Sequence, residues 1–356
     1  MPVAGEFKQM WSEAFGDSKS WIDFFFERAC SQEDIVMLHT PDDVSAVSAL
    51  LLRRYSLNFH GSMLPVAYLC GANTRRKYRG RGYMGQLMRH ALKVAYDRGD
   101  AVVTLIPATA RLYEFYRQFG FAKAVYAGVK RYTALHPFNT AGEYHAVHSP
   151  AHPAVADTFC HYESRIPGRV LHTPSEYLNI LEDVRLDGGD VAVVADDMGV
   201  TVGFAFGVHY SDGIIVKDVI AKDDDAADGA LRELRRMNPN VPFKVVCMPE
   251  ASTRSGMLTS VGMARIVNPL AVLERLAREH RKWRCRIRLT DSLLPVNTGT
   301  YTIESGNVVF DPGSPGGRPD YDVDSEVFTL LVFASPHMGD LIGFPSQRLY
   351  QALLLE

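Results

Sequence analysis

Residues 63–74 form an apolar run that passes directly into the basic, glycine-punctuated stretch Arg75-Arg76-Lys77-Tyr78-Arg79-Gly80-Arg81-Gly82, and then into a helical stripe. From residue 83 to 98 the apolar side chains Met84, Leu87, Met88, Ala91, Leu92 and Ala95 recur on one helical face, and Gly99 stands where a C-cap is expected. A strand that turns tightly into a helix leaves the first N–H groups of that helix without partners, and the helix dipole makes the same point electropositive. Gly80, Gly82 and Gly85 remove side chains where a ligand must reach the main chain, while Arg79 and Arg81 add positive charge. Residues 79–85 are therefore a candidate phosphate cradle. The spacing is not the G-x-G-x-x-G of a dinucleotide fold, and no Gly-Lys-Ser/Thr follows as in a P-loop.

The surroundings of this loop alternate helix and strand. Residues 7–15 and 20–30 carry aromatic side chains at helical spacing (Trp21, Phe24, Phe25), with Asp17 or Ser18 as N-cap. Strands are expected at 34–39 and 44–55, joined by Pro41-Asp42-Asp43. Beyond the loop and its helix come a short buried-type strand at 101–106, a helix at 110–118 and, after Gly120-Phe121, a strand at 122–132. The periodic pattern lapses over 135–149, which places a boundary there. His136, His145, His148 and His152 lie in this region, but their spacing fits no standard metal site and no metal is expected.

A second segment repeats the order. Helices at 157–163 and 174–182 precede a hairpin at 190–195 and 201–210, a strand at 213–221, a helix at 225–236 and a strand at 243–248. Where the first segment has its basic glycine loop, this one has Lys222-Asp223-Asp224-Asp225, which repels phosphate. The second segment reads as a scaffold copy without a cofactor. A third opens on Asn268-Pro269, an N-cap followed by proline at the first helical position. Its pattern predicts a helix at 270–282, strands at 283–289, 299–304 and 307–310, a Pro/Gly-rich surface loop over 311–322, a strand at 327–333 and a closing helix at 346–355.

A chain of 356 residues exceeds one comfortable core. The net charge of -3 gives no general reason to expect nucleic acid or a membrane surface as partner, because the basic character is local. Cys30, Cys70, Cys160, Cys247 and Cys285 are scattered without a C-x-x-C pair, and residues 1–8 lack a signal-peptide apolar stretch. A cytoplasmic setting is the simplest expectation.

Arg79-x-x-Gly82-x-Met84 resembles the R/Q-x-x-G-x-G/A loop of the GCN5-related N-acetyltransferases (GNAT), and residues 112–121 (LYEFYRQFGF) resemble that family's aromatic-Tyr-x-x-x-G-F segment. Met84 departs from the pattern, which usually has a small residue there. The order of three segments is similar to the enhanced-intracellular-survival (Eis-like) acetyltransferases. This resemblance implies an α/β (α+β) architecture: a catalytic GNAT domain at 1–137, a degenerate GNAT-like domain at 138–266, and a sterol-carrier-protein-like domain at 267–356. It implies acetyl-CoA as acyl donor, no metal, a small-molecule or polypeptide amine as acceptor, and a homo-oligomer. Carried over residue by residue, Ala72, Asn73 and Thr74 contact the pantetheine arm and acetyl group. Arg79, Gly80, Arg81, Gly82, Tyr83, Met84 and Gly85 hold the pyrophosphate. Tyr116 matches the general acid for the departing thiolate, with Tyr113 as substitute. The general base in the Eis-like group is the terminal carboxylate, here Glu356, with Glu114 and His60 as alternatives. Two other readings fit less well: a non-catalytic protein that binds acyl-CoA or an apolar ligand, and a tRNA-dependent aminoacyl transferase.

Overall fold

The computed structural model describes residues 3–41, 43–249, 258–313, 317–333 and 343–355. The first elements are α1 (Val3–Ala14), α2 (Lys19–Arg28), β1 (Ile35–Thr40), β2 (Asp43–Phe59), β3 (Ser62–Thr74), α3 (Tyr83–Arg98), β4 (Val102–Leu105), α4 (Ala110–Arg117) and β5 (Ala122–Tyr132). Next come β6 (His145–Ala146), α5 (Pro153–Ser164), β7 (Val170–Leu171), α6 (Pro174–Leu186), β8 (Asp190–Ala195), β9 (Thr201–Tyr210), β10 (Gly213–Ala221), α7 (Asp224–Met237) and β11 (Phe243–Cys247). The last are β12 (Thr259–Ile266), α8 (Pro269–Glu279), β13 (Cys285–Thr290), β14 (Gly299–Glu304), β15 (Asn307–Asp311), β16 (Tyr321–Asp324) and α9 (Ser325–Val332). Contacts group the chain into one compact unit of Met1–Val125 with Ser260–Leu349, and a second of Tyr126–Thr259 with Tyr350–Leu355.

In the first unit the strands β1, β2 and β3 are antiparallel neighbours, and β3 pairs parallel with β4. The β2–β3 hairpin closes on His60 and Gly61, both at positive φ (48° and 75°), the two-residue turn that matches strand twist. Ser18 caps α2 by accepting from the Trp21 amide, and Gly99 ends α3 at φ 87°. Strand β12, which sequence patterning did not mark, lies antiparallel to β4 with Met263 opposite Leu105. It carries Arg265, fully buried and paired with the buried Asp291.

The remainder of this unit is a four-stranded sheet in the order β15-β14-β13-β16. Asn268 caps α8 through the Ala271 amide, with Pro269 at the first position, as its sequence requires. Two expectations are corrected here. Residues 327–333 were expected as a strand, but Ser325–Val332 is helical: Asp324 accepts from the Val327 amide and starts a helix, and a short apolar run does not by itself distinguish the two. Residues 346–355 are not a helix. Leu349 bridges Val125 and Tyr350 bridges Arg169 as isolated strand-like pairs, and Leu353 sits at φ 57°, outside the helical region. Residues 321–322, the end of the surface loop expected over 311–322, open β16, which pairs parallel with β13.

The second unit runs through the same order as the first: two helices, three antiparallel strands (β8, β9, β10), a helix (α7), and a strand (β11) parallel to the third. Gly128–Tyr132 of β5 then lies antiparallel to β11, as β12 lies against β4. The tandem duplication expected from sequence is therefore present in the topology. Among the described residues, no helix is long and apolar enough to cross a membrane.

Candidate active site

The site grows from one irregularity in β3. Val66, Ala67 and Tyr68 pair with Val102, Val103 and Thr104, and β4 ends at Leu105, one step further on. Strand β3 continues to Thr74 and leaves the edge of residues 70–74 open on that side. On its other side β3 stays paired with β2 (Asn73 with Ala49, Thr74 with Ser48), but the register slips between Ala49 and Leu51, a bulge at Gly71-Ala72. Gly71 takes φ 63°, and a Cβ there would lie 2.2 Å from the Trp11 ring and 3.0 Å from Phe7. Glycine is required twice over, for conformation and for room. The aromatic wall that fills this space (Phe7, Trp11, Trp21, Phe25) is anchored by the Trp11 indole N–H donating to Asp17 at 2.7 Å.

The basic loop closes the other end of the opening. Gly80 and Gly82 sit at φ 76° and 79°, and a Cβ on either would meet nothing within 4 Å. Their requirement is conformational, with open space above them. Gly82 is the N-cap of α3 but supplies no side-chain cap, and the first helix-closing bond is Gln86 N–H to Gly82 O. The amides of Gly80, Arg81, Gly82, Tyr83, Met84 and Gly85 donate to no acceptor among the described residues. A run of such donors at a helix N-terminus is an anion site. Met84, the departure from the expected small residue, is partly buried and packs its side chain into the core beside α3, away from the amides it flanks.

The arginines divide their work. Arg75 is held by Glu6 and Glu13 of α1 and by the Ala46 carbonyl, so it serves the frame. The Arg79 Nε donates to the Thr74 carbonyl at 2.9 Å and ties the strand end to the loop. Arg81 is exposed and lies over the Tyr78 ring, 5.8 Å from its centroid.

Helix α4 presents Tyr116 to the same region. It is 8% exposed, packs on Phe115 and Phe121, and lies close enough to Cys70, immediately before the bulge, to interact with it electrostatically. Burial first, and Cys70 second, push the Tyr116 hydroxyl up to about 12, so it is protonated throughout the neutral range. Tyr113 is not equivalent, because its hydroxyl already donates to the Ser260 carbonyl at 3.1 Å. The α4 turn ends at Gly120, φ 74°, where a Cβ would fall 1.9 Å from the Arg265 guanidinium. Arg265 in turn donates to the Phe119 carbonyl and to Ser325, fixing the corner behind Tyr116.

The alternative bases are not brought here. His60 lies in the β2–β3 turn, at the end of β3 remote from Thr74, on the order of 40 Å away along an extended strand. It pairs with His280 (3.1 Å), and burial together with that neighbour lowers it to about 4. Glu114 is exposed and two residues from Tyr116, hence on a different helical face. Glu356 lies outside the described residues.

In the second unit the corresponding loop is already satisfied. Asp223 caps α7 by accepting from the Ala226 amide, and Asp225 accepts from the Ala141 and Gly142 amides and the Tyr144 hydroxyl. Of the histidines near the boundary, His136 packs between Tyr132 and Phe138, and His152 caps α5 through Ala154.

Residues 4–124 match the family model described as an acetyltransferase (GNAT) domain. No curated protein matches the chain. Among solved structures, the chain is similar to a GCN5-related N-acetyltransferase from Kribbella flavida, at 16% identity over 99% of this chain and 95% of that one, with a TM-score of 0.74. A GCN5-related N-acetyltransferase from Anabaena variabilis superposes with a TM-score of 0.71, at 16% identity over 98% and 95% of the two chains. Eis1 from Mycobacterium abscessus does so with 0.67, at 16% identity over 92% and 85%.

Proposed function

We propose, on the premise that residues 4–124 carry a GNAT acetyltransferase domain, that the chain transfers an acetyl group from acetyl-CoA to an amine by direct attack on the thioester. The observation that carries this reading is the conjunction of six free amides at residues 80–85 with the open β3 edge at 70–74, one suited to a pyrophosphate and the other to a pantetheine arm. Ala72, Asn73 and Thr74 would hold that arm through their backbone. Gly80, Arg81, Gly82, Tyr83, Met84 and Gly85 would hold the phosphates, with Arg79 bracing the turn.

In the chemical step, the neutral amine nitrogen bonds to the thioester carbon and the carbonyl oxygen becomes an oxyanion. The C–S bond then breaks and the sulfur leaves as a thiolate. Amides beyond the bulge stabilise the oxyanion, since they are fixed before charge develops. The Tyr116 O–H supports the sulfur. With its pKa near 12, full proton transfer to a thiolate is uphill, so the hydroxyl acts mainly as a hydrogen-bond donor as the C–S bond lengthens. The proton lost by the amine goes to a carboxylate, for which the terminal Glu356 is our candidate. The Eis-like subgroup, a sterol-carrier-like role for residues 267–356, homo-oligomerisation and a cytoplasmic setting belong to the same proposal. The acidic, self-capped loop at 222–225 supports reading the second unit as a copy without acyl donor.

Isothermal titration with acetyl-CoA, followed by release of free CoA across an amine panel, tests the reading. One acetyl-CoA site of micromolar affinity and amine-dependent CoA release are expected. Absence of binding at that level would remove it, and binding without turnover would favour the alternative of a non-catalytic acyl-CoA-binding protein.

A further inference from the structure

The first unit has another concavity, at the end of β3 remote from Thr74. It encloses about 910 Å³ between the β2–β3 turn, the segment that leaves α8, and residues 343–346. That volume is within the range that holds a small organic molecule.

His60, in the β2–β3 turn, is held in place from several sides. Its backbone N–H donates to the Gln347 Oε1 at 2.9 Å, and its ring stands edge-on to Phe59 and to His280, with centroids 4.7 and 4.9 Å away. The ring Nδ1 is spent on His280 Nε2 at 3.1 Å. The other nitrogen, Nε2, is buried and makes no hydrogen bond to a described residue. Burial first, and His280 second, lower His60 to about 4, so the ring is neutral at pH 7. With Nδ1 accepting from His280, the one ring proton sits on Nε2, a donor without an acceptor. Buried polar atoms are nearly always hydrogen-bonded, so an unpaired donor on a cavity wall points to an acceptor that enters from the cavity.

The same wall carries unspent positive charge. Arg281 and Lys282 line it, and neither makes an ion pair or hydrogen bond with a described residue. The dipole of α8 favours cations at its C-terminal end, yet neither side chain bonds to a carbonyl there. Arg278 adds a third cation, held only by Glu274 at 3.7 Å, and Glu279 is the one carboxylate among the described lining residues. An anion is therefore attracted to this cavity and a cation repelled. Opposite stands an aromatic wall: the rings of Trp283 and Phe344 meet edge-on with centroids 5.0 Å apart. A cationic rim, a neutral donor and an aromatic surface together suit an anion with an apolar body, and a carboxylate matches the planar fork of a guanidinium.

We infer that this cavity binds a small organic carboxylate, its oxygens shared among Arg281, Lys282 and the His60 Nε2–H and its apolar body on Trp283 and Phe344. The site is separate from the acyl-donor loop and does not depend on the acetyl-transfer reading. Hydrocinnamate is the probe, titrated calorimetrically into the full chain, with hydrocinnamyl alcohol as its uncharged counterpart. Binding of the acid is expected, with the alcohol at least about tenfold weaker, because its charge-assisted contacts are lost. The double change Arg281→Gln with Lys282→Gln should weaken the acid by a similar factor at unchanged melting temperature, since both side chains are exposed and unpaired. His60→Asn should weaken it by a smaller factor, with asparagine tolerated at the φ of 48° that this turn requires. In nitrogen NMR the His60 Nε2 resonance should move as the acid is added. No binding at millimolar concentration, equal binding of acid and alcohol, full affinity in either variant, or displacement of the acid by acetyl-CoA would each overturn the assignment.

Discussion

Replacing Tyr116 by Phe is expected to lower the rate constant for acetyl transfer on the order of 10²-fold, the usual scale for removing one hydrogen-bond donor to charge that develops in the transition state, while acetyl-CoA affinity stays within about twofold. The ring would remain packed on Phe115 and Phe121, so the fold has no reason to respond. Only the O–H beside Cys70 and the bulge is deleted. The effect therefore falls on kcat and not on the cofactor dissociation constant. The same pKa near 12 means that ionisation of Tyr116 should not bring down the wild-type rate between pH 8 and 10. Steady-state kinetics at saturating acetyl-CoA, with calorimetric titration of the variant, separate the two quantities. Unchanged turnover would remove the role. Equal losses in Tyr113→Phe, whose hydroxyl is spent on the Ser260 carbonyl, would point to packing instead.

The second large effect is structural. Asp291→Ala should destabilise the chain by about 3–5 kcal/mol, the cost of leaving one charge of a buried pair uncompensated. Asp291 receives two bonds from Arg265 (2.7 and 2.9 Å) and others from the Leu293 and Leu294 amides and the Asn297 side chain. Arg265 is 0% exposed, and without Asp291 its remaining hydrogen-bond partners are the Phe119 carbonyl and Ser325. Because Phe119 belongs to the corner behind Tyr116, acetyl transfer should also fall in whatever fraction stays folded. Chemical denaturation measures the loss, and the double change Arg265→Met with Asp291→Leu should recover only the part due to the stranded guanidinium, since the Leu293 and Leu294 amides and the Asn297 side chain still lose their acceptor. A loss below about 1 kcal/mol for Asp291→Ala would mean that the pair does not hold this corner.

Helix α3, with its amphipathic stripe and Gly99 cap, follows the expected bounds, and β5, β8, β9, β10 and β14 do so as well, because short-range periodicity and turn residues determine where such elements start and stop. Residues 327–333 and 346–355 did not follow. In the first, the Asp324 cap outweighs a β-like composition; in the second, Leu349 and Tyr350 form bridges to residues distant in sequence. Strand β12 escaped notice for the same reason, since its partner β4 lies more than 150 residues earlier. A signal was present nevertheless: an arginine in the otherwise apolar run 261–267 marks a buried ion pair. Gly71 carried a similar signal, since a glycine inside an apolar strand often marks a bulge or a close approach. The loop at 79–85 was legible because its donors are local, whereas the division of labour among Arg75, Arg79 and Arg81 depends on Glu6, Glu13 and Thr74, which pattern cannot place beside them.

Seating of the cofactor pyrophosphate on residues 80–85 is tested most directly by backbone hydrogen exchange with and without acetyl-CoA. In the free protein the amides of residues 80–85 have no acceptor among the described residues and should exchange rapidly. With saturating acetyl-CoA, strong protection is expected in the peptide covering 79–86 and in residues 71–74, with none at the acidic loop 222–226. Binding that leaves 79–86 unprotected, or that protects 222–226 instead, would contradict it.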